Sequence, residues 1–411
     1  MSKLPLRARL ATTIGGAAGR VSRAAGRGDG SVIGGVLGLR VEPDLLRILS
    51  ADRQIVLVSA TNGKTTTTRL ISAALGALGQ EVASNAFGAN MAAGLTSALG
   101  RAPNAPFGVL EVDERHLPAV IAATKPRVVA LLNLSRDQMD RAAEIWLVAR
   151  RWREALAAAD CRVIANADDP LIAWAASGAK HVTWVAVGQR WHEDSWCCPQ
   201  CGSHLRRDDL GWRCGECGFA RPPASWVLDD GAVIDAAGQV TELSLELPGR
   251  ANMANAVVAL AVVHSFGADV SQMLPRLRKV KSVAGRYTRV QRHGRELRLL
   301  LAKNPAGWLE AFDVLSAVPG PVMLSVNAQG PDGRDTSWLW DVDYRVLIGR
   351  PVFVAGERRI DLAVRLEADQ VAFVLVNGVD DAVSKVEAGA LDVIANYTAF
   401  QQIRSALGRA E

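Results

Sequence analysis

Lys64 and Thr65 carry the most specific chemistry in this chain, because they close the run Gln54-Ile-Val-Leu-Val-Ser-Ala-Thr-Asn-Gly-Lys-Thr-Thr-Thr-Thr68. Ile55 to Val58 form an apolar strand, and the Gly63-Lys64-Thr65 turn feeds a helix from about Thr65 to Leu78. Backbone N–H groups at the positive end of that helix suit phosphate. Lys64 would reach the β- and γ-phosphates and Thr65 would set its hydroxyl on Mg²⁺. The loop departs from G-x-x-x-x-G-K-[ST] at one point, where Val58 replaces the first glycine. The strand before it and the helix after it supply the context that a bare GKT triplet lacks.

A second constellation is Cys198-Pro-Gln-Cys201 with Cys214-Gly-Glu-Cys217, each pair followed by a glycine. Two thiolate knuckles at this spacing describe a zinc ribbon, and four sulfur ligands leave no position for water, so the site is expected to be structural. Cys197 leaves open which of two adjacent thiols binds. The segment, roughly 190–226, carries Trp191, Trp196, Trp212 and Trp226 and mixed charge without a basic stripe. That composition favours an inserted clip, with no nucleic-acid partner expected.

These residues need a scaffold of alternating strands and helices. Phe107–Val112, Arg127–Leu132 and Cys161–Ala165 read as buried parallel strands, with helices near His116–Ala123 and Ala143–Ala159. After the ribbon come a polar β-type stretch near Ala232–Leu247 and a helix at Asn252–Phe266. A second series places strands at Leu297–Leu301, Val322–Val326, Val352–Val354, Val371–Val376 and Leu391–Ala395. Two doubly wound α/β units fit, joined near Ala284–Arg289. The expected boundaries are a lead-in over 1–45, a central domain over 46–285 and a C-terminal domain over 286–411.

The 411 residues, 49% hydrophobic, are ample for large cores, and no apolar run approaches the ~20 residues needed to span a bilayer. Net charge is only +5, yet Lys3, Arg7, Arg9, Arg20, Arg23 and Arg27 all precede the first acid, Asp29. Such a segment is a solvated or docked helix, an arm for an anionic membrane surface, or an imitation of a transit peptide. No secretory h-region is present, and the expected location is the cytoplasm, with the inner face of the membrane as an option.

At this point the chain resembles a known family. Ala60 to Thr67 is similar to the ATP loop of Mur ligases and folylpolyglutamate synthases, which usually have glycine where Ala60 stands. Glu111-Val-Asp-Glu114 resembles their acidic Mg²⁺ motif, Asn133-x-x-x-Asp137 the following Asn-x-x-x-Asp-His, and Asn166-Ala-Asp-Asp169 the next loop. Gly249-Arg-Ala-Asn252-Met-Ala-Asn255 resembles the asparagine-rich helix start that reads adenine, and Gly285-Arg286 the junction with the C-terminal domain. The resemblance implies a Mur-ligase-type P-loop central domain and a Rossmann-like α/β C-terminal domain. It also implies ATP contacts from Thr61, Asn62, Gly63, Lys64, Thr65 and Thr66, and Mg²⁺ on Thr65 and on Glu111 or Glu114. Asn252 would hydrogen-bond adenine or cap its helix, and Arg286 would contact phosphate or pair with a carboxylate. Gln138 replaces the usual metal-associated His, and Lys303-Asn304-Pro305 replaces a motif that begins with a nucleotide-contacting Asp.

Four further stretches narrow the resemblance: Lys303–Gly307, Asp332-Gly-Arg-Asp-Thr-Ser-Trp-Leu-Trp-Asp341, Gly356–Arg365 and Asn396-Tyr-Thr398. With the ribbon they are similar to the MurT group. Its members are the synthetase subunits that amidate the α-carboxyl of D-glutamate in the stem peptide of lipid II, for peptidoglycan. The resemblance implies an acyl phosphate made from ATP, and ammonia from a GatD-type glutaminase. It also implies an Asp, Asp335 or its rival Asp332, that completes the partner's Cys-His pair. The bland account of the same stretch is a polar turn followed by an element whose tryptophans pack inward.

Two arguments from the residues point the same way. Lys64 lies too near the start for a UDP-binding domain of ~100 residues to precede it, and a lipid-linked substrate needs none. Outside the ribbon motif only Cys161 and Cys197 remain, and Cys161 opens an apolar strand, so a glutaminase nucleophile is expected on another chain. A folylpolyglutamate-synthase-like ligase, a zinc-ribbon nucleic-acid ATPase and a nonenzymatic scaffold are the competing readings.

Overall fold

The computed structural model describes residues 4–25, 30–85, 89–137, 144–281, 287–316, 320–386 and 389–408. Two compact units divide the chain: Met1–Leu134 with Ile145–Glu246 and Asn252–Val280, and Ser135–Glu144 with Leu247–Ala251 and Lys281–Glu411.

The first unit opens with α1 (Leu6–Ala24), α2 (Ser31–Val41) and α3 (Leu45–Ser50). Then come β1 (Gln54–Ser59), α4 (Lys64–Ala77), β2 (Val82–Ser84), α5 (Ala92–Arg101) and β3 (Phe107–Glu111). They are followed by α6 (Leu117–Thr124), β4 (Val128–Leu131), α7 (Ile145–Ala158), β5 (Arg162–Asn166), α8 (Pro170–Ala176) and β6 (His181–Ala186). The ribbon hairpin β7 (Leu205–Asp208) and β8 (Gly211–Cys214) precedes β9 (Trp226–Asp229), β10 (Ala232–Ile234) and β11 (Val240–Glu242). Helices α9 (Arg250–His264), from Asn252 onward, and α10 (Val270–Arg278) complete the unit.

Apart from the two-stranded β7–β8 hairpin, its described strands form a nine-stranded sheet in the order β11-β10-β9-β6-β5-β4-β1-β3-β2. β1 lies inside it, parallel to both β3 and β4, with Val56 opposite Val109 on one side and Val128 on the other. A strand covered on both faces reads as a continuous apolar run, which is why Ile55–Val58 is legible. Helices α1 and α3 are part of this unit's core, since Ala8, Ala11, Leu45, Leu46 and Leu49 pack with Ile55 and Leu57. Helix α1 of the expected lead-in is thus docked on this unit.

In the second unit β12 (Tyr287–Arg292) and β13 (Arg295–Leu301) lead to α11 (Pro305–Ser316) and β14 (Val322–Ser325). Next come β15 (Val352–Ala355), α12 (Arg359–Ala368), β16 (Val374–Leu375), α13 (Val379–Ser384), β17 (Leu391–Ala395) and α14 (Tyr397–Gly408). The sheet runs β12-β13-β17-β14-β15-β16, parallel except for β12. The expected strand Val371–Val376 shortens to Val374–Leu375. It is an edge strand bonded to β15 alone, and both residues are exposed. Of the expected junction, Ala284–Arg286 lies outside the described residues. Ser135–Glu144 and Leu247–Ala251 join this unit through the Arg136–Asp341 and Lys303–Asp137 ion pairs and the packing of Gly249 on Val314.

Candidate active site

β1 delivers the chain to a turn at Gly63, whose φ of +88° favours glycine and where a Cβ would stand 2.6 Å from Asn255 Oδ1. Asn133, at the end of β4, holds the loop in place. Its Oδ1 accepts from Asn62 N at 2.9 Å, its Nδ2 donates to Asn62 O at 3.1 Å, and its carbonyl accepts from Thr61 N at 3.0 Å. Thr61, Asn62 and Thr66 are buried, and the helix begins at Lys64.

Lys64 is 3% exposed. Its ammonium donates to the Ala60 carbonyl, to the Thr61 carbonyl at 3.2 Å, and to Glu114 Oε2 at 3.2 Å. Thr65 Oγ1 donates to Glu111 Oε2 at 2.8 Å. The two glutamates therefore separate: Glu111 faces the hydroxyl and Glu114 the ammonium. Glu111 is 1% exposed and its backbone is clamped by Asn85, whose Oδ1 accepts from Glu111 N and whose Nδ2 donates to Glu111 O, both at 2.8 Å. The Glu114 carbonyl is fixed by Trp152 Nε1 at 2.8 Å. A buried carboxylate on a threonine hydroxyl at a helix start, beside a buried lysine, is a donor set that suits a hard divalent cation and phosphate oxygens.

Asn252 lies in the first turn of α9, so it is within the helix rather than capping it. Arg286, Gly285 and Gln138 lie outside the described residues. Asp137 accepts from Lys303 within the second unit. Asp169 is a structural acceptor. It caps α8 through Leu171 N at 2.9 Å and Ile172 N at 3.1 Å and takes Leu134 N at 2.8 Å, while complete burial pushes its carboxyl up to about 6.

The sulfurs of Cys198, Cys201, Cys214 and Cys217 all lie within 4.8 Å of one another. Cys198 and Cys217 are 3.6 Å apart and Cys201 and Cys214 3.5 Å, near the ~3.8 Å edge of a tetrahedron with 2.3 Å metal–sulfur bonds. All are free thiols, and Cys197 is exposed and outside the cluster. The ribbon is bolted to the first unit. Trp212 Nε1 donates to Ala167 O at 3.1 Å, Arg221 meets Asp168 at 2.5 Å, and Trp146 Nε1 donates to Pro199 O at 2.8 Å. The cluster fits a thiophilic metal, closed and structural.

In the second unit Asp332 is engaged on both oxygens: Oδ1 accepts from Thr398 N at 2.9 Å, and Oδ2 from Thr398 Oγ1 and from Gln329 N at 3.2 Å. Asp335 is exposed and accepts from Ser337 N at 2.8 Å and Ser337 Oγ at 3.0 Å. The expectation that both tryptophans pack inward holds for one. Trp338 lies against Trp308, but Trp340 is 58% exposed under the Arg365 guanidinium. Ser337–Asp341 is a 3₁₀ turn, in which residues two apart point in different directions.

Sequence reasoning did not single out Asn85, and no local signal marks it, because its clamp on Glu111 spans 26 residues. Asn133 and Asn255 belong to motifs already noted, yet their contacts with the Gly63 loop come only from strand order and helix placement.

Comparison with known proteins places the chain. Residues 58–263 match the Mur ligase middle domain and residues 301–400 the MurT ligase C-terminal domain. The chain is 30% identical over 422 residues, 95% of each chain, to the lipid II isoglutaminyl synthase (glutamine-hydrolyzing) subunit MurT of Staphylococcus aureus. It is also 30% identical over 392 residues, 87% of each chain, to the same-named subunit of Streptococcus pneumoniae. For fold alone, a pseudomurein peptide ligase type C from Methanothermus fervidus superposes with a TM-score of 0.70 at 18% identity, covering 87% of this chain and 79% of that one. With a Mur ligase middle domain, a MurT C-terminal domain and MurT relatives that align over nearly their whole length, the chain belongs to the MurT branch of the Mur ligase family.

Proposed function

We propose that this ligase uses ATP to amidate the D-glutamate α-carboxyl of the lipid II stem peptide to D-isoglutamine, on the cytoplasmic side of the membrane. The observation that carries the reading is the meeting of Lys64 and Thr65 with Glu114 and Glu111 at the end of β3, in a chain aligned throughout with a synthase subunit. A carboxylate oxygen attacks the γ-phosphorus, and the β–γ bridging oxygen leaves with ADP. Ammonia then attacks the acyl carbon of the acyl phosphate, inorganic phosphate leaves, and nitrogen sheds a proton. Charge grows on the transferring phosphoryl group, and Lys64 is preorganised in a dry cradle to stabilise it. Thr65 and Glu111 hold Mg²⁺ in this reading, which supplies further charge neutralisation, and Glu114 positions Lys64. Thr61, Asn62, Gly63 and Thr66 line the phosphate path, Asn252 reads adenine, and Arg286 contacts phosphate. The four ribbon thiolates hold Zn²⁺.

Ammonia comes from a GatD-type glutaminase subunit. Burial pushes the Cys161 thiol up to about 11, which leaves it protonated and unsuited to glutamine hydrolysis. Asp335 supports the partner's histidine. Its exposed carboxylate retains lone pairs for an outside imidazole, whereas Asp332 is committed to Thr398 and Gln329. The test is co-purification with the glutaminase followed by an assay for glutamine-dependent amidation of lipid II. Amidation with glutamine or ammonium, and none with glutamate as nucleophile, is expected; the reverse pattern assigns a polyglutamate-type ligase and removes this reading.

A further inference from the structure

Helices α1 and α2 form an antiparallel hairpin in which backbone meets backbone. A Cβ on Gly15 would stand 2.5 Å from the Gly34 carbonyl oxygen, and one on Gly30 would stand 2.1 Å from that of Gly19. Small residues that admit such an approach leave the larger apolar side chains to point elsewhere. Here they point outward: Leu6 is 82% exposed, Leu10 55% and Val21 68%. Ile14 on α1 and Val32, Ile33 and Val36 on α2 are exposed with them.

Leu10, Ile14 and Val21 of α1 and Ile33 of α2 share one side of the hairpin. Thr12 touches Gly100 of α5, and at about 100° per residue Leu10, Ile14 and Val21 lie roughly half a turn from it. Gly35 rests on the Ala93 carbonyl of α5, and Ile33 likewise lies roughly half a turn away. Leu10, Ile14, Val21 and Ile33 thus face away from α5.

Charge adds a direction. Residues 1–41 hold seven basic side chains against one acid, Asp29, so this segment alone outweighs the +5 of the whole chain. Arg9 and Arg20 are exposed on the flank of α1, and Arg40 of α2 lies on the same side as Ile33, while Arg23 turns toward α5. Arg20 and Arg23 also border, with Arg101, a groove between α1, α2 and α5. Among the described residues no helix is long and apolar enough to cross a membrane. An apolar face bordered by arginines, on helices that do not span, matches a surface that lies in the headgroup region of an acidic bilayer.

We propose that the outer face of the α1–α2 hairpin docks on an anionic lipid bilayer, with Leu10, Ile14, Val21 and Ile33 entering the interface and the arginines meeting lipid phosphates. A lipid-linked substrate, in the function proposed above, gives such docking a purpose. The face itself is read from exposure and charge and does not depend on that assignment.

The test sediments the full chain with vesicles of phosphatidylglycerol and phosphatidylcholine, or of phosphatidylcholine alone, all without lipid II. Failure of the amidation reading therefore leaves the result intact. Binding to the anionic vesicles is expected. It should fall at least tenfold in an Ile14→Glu/Val21→Glu variant, in an Arg20→Glu/Arg40→Glu variant, and in 0.5 M salt. Circular dichroism monitors the fold, and the arginine variant keeps the proposal testable if the apolar one does not fold. Equal binding to neutral vesicles, no binding to either, or unchanged binding in both folded variants overturns it. So does a loss of glutaminase association in the variants with lipid binding intact, which would assign the face to a protein partner.

Discussion

Replacing Lys64 with alanine removes the one ammonium buried at the head of α4, and its consequences for fold and for chemistry differ in size. For the fold, the carbonyls of Ala60 and Thr61 lose a donor and Glu114 loses its partner at 3.2 Å. Unsatisfied groups of this kind cost about 1–3 kcal/mol, a fraction of the ~5–15 kcal/mol typical of domains, so the variant should fold. For the chemistry, one preorganised charge at a developing anion is worth about 3–4 kcal/mol, a loss of a few hundredfold or more in rate. Glu114, still beside the loop, would then repel the phosphates, so Glu114→Gln should recover part of the loss in the double variant. Ammonium-driven amidation of lipid II, followed as phosphate release, isolates this step from glutamine hydrolysis, and thermal unfolding monitors the fold. A folded Lys64→Ala protein with near-normal turnover would refute the phosphate-loop reasoning outright.

Three other outcomes are expected. Asp335→Asn should sharply lower glutamine-driven amidation of the complex while leaving ammonium-driven amidation and complex formation largely intact; if both activities fall, Asp335 belongs to the synthetase site, and if neither falls the role passes to Asp332 or is withdrawn. Metal analysis of reduced protein should find one zinc per chain, and Cys214→Ser should lower the unfolding temperature without a direct effect on phosphate chemistry; an absence of zinc, or disulfides between the pairs, removes the ribbon assignment. Asp169 titrates near 6 when folded against an ordinary value of 3.8, so the folded state holds its proton more tightly. Its stabilising contribution is therefore complete below about pH 4 and declines as pH rises through about 6, by roughly 3 kcal/mol. In denaturant titrations the stability of the native protein minus that of Asp169→Asn should be smaller at pH 8 than at pH 4.5, and a difference independent of pH would show that Asp169 is not perturbed.

What was legible in the residues is what local chemistry dictates. A continuous apolar run marks a strand covered on both faces, so β1, β3, β4 and β5 were readable, and Gly63-Lys64-Thr65 had to follow β1 because the motif is contiguous. The ribbon was readable because two Cys-x-x-Cys knuckles carry their own turn geometry. The N-terminal helices were less so. Their glycines and small residues obscure the usual apolar stripe, and their packing became visible only where backbone meets backbone at Gly15 and Gly34.

The amino-acid order by itself determined the phosphate loop, the four thiols and the succession of strands and helices, since each depends on neighbours a few residues apart. Tertiary structure alone decided that Glu111 meets Thr65 while Glu114 meets Lys64, a choice that spacing left open. It also decided that Cys198 rather than Cys197 joins the thiol cluster, and that Asp332 is engaged by Thr398 while Asp335 is exposed. The physical reason is the same in each case. Two identical side chains a few residues apart have the same intrinsic chemistry, and only the direction imposed by the packed backbone, with partners that come from distant strands, gives them different roles.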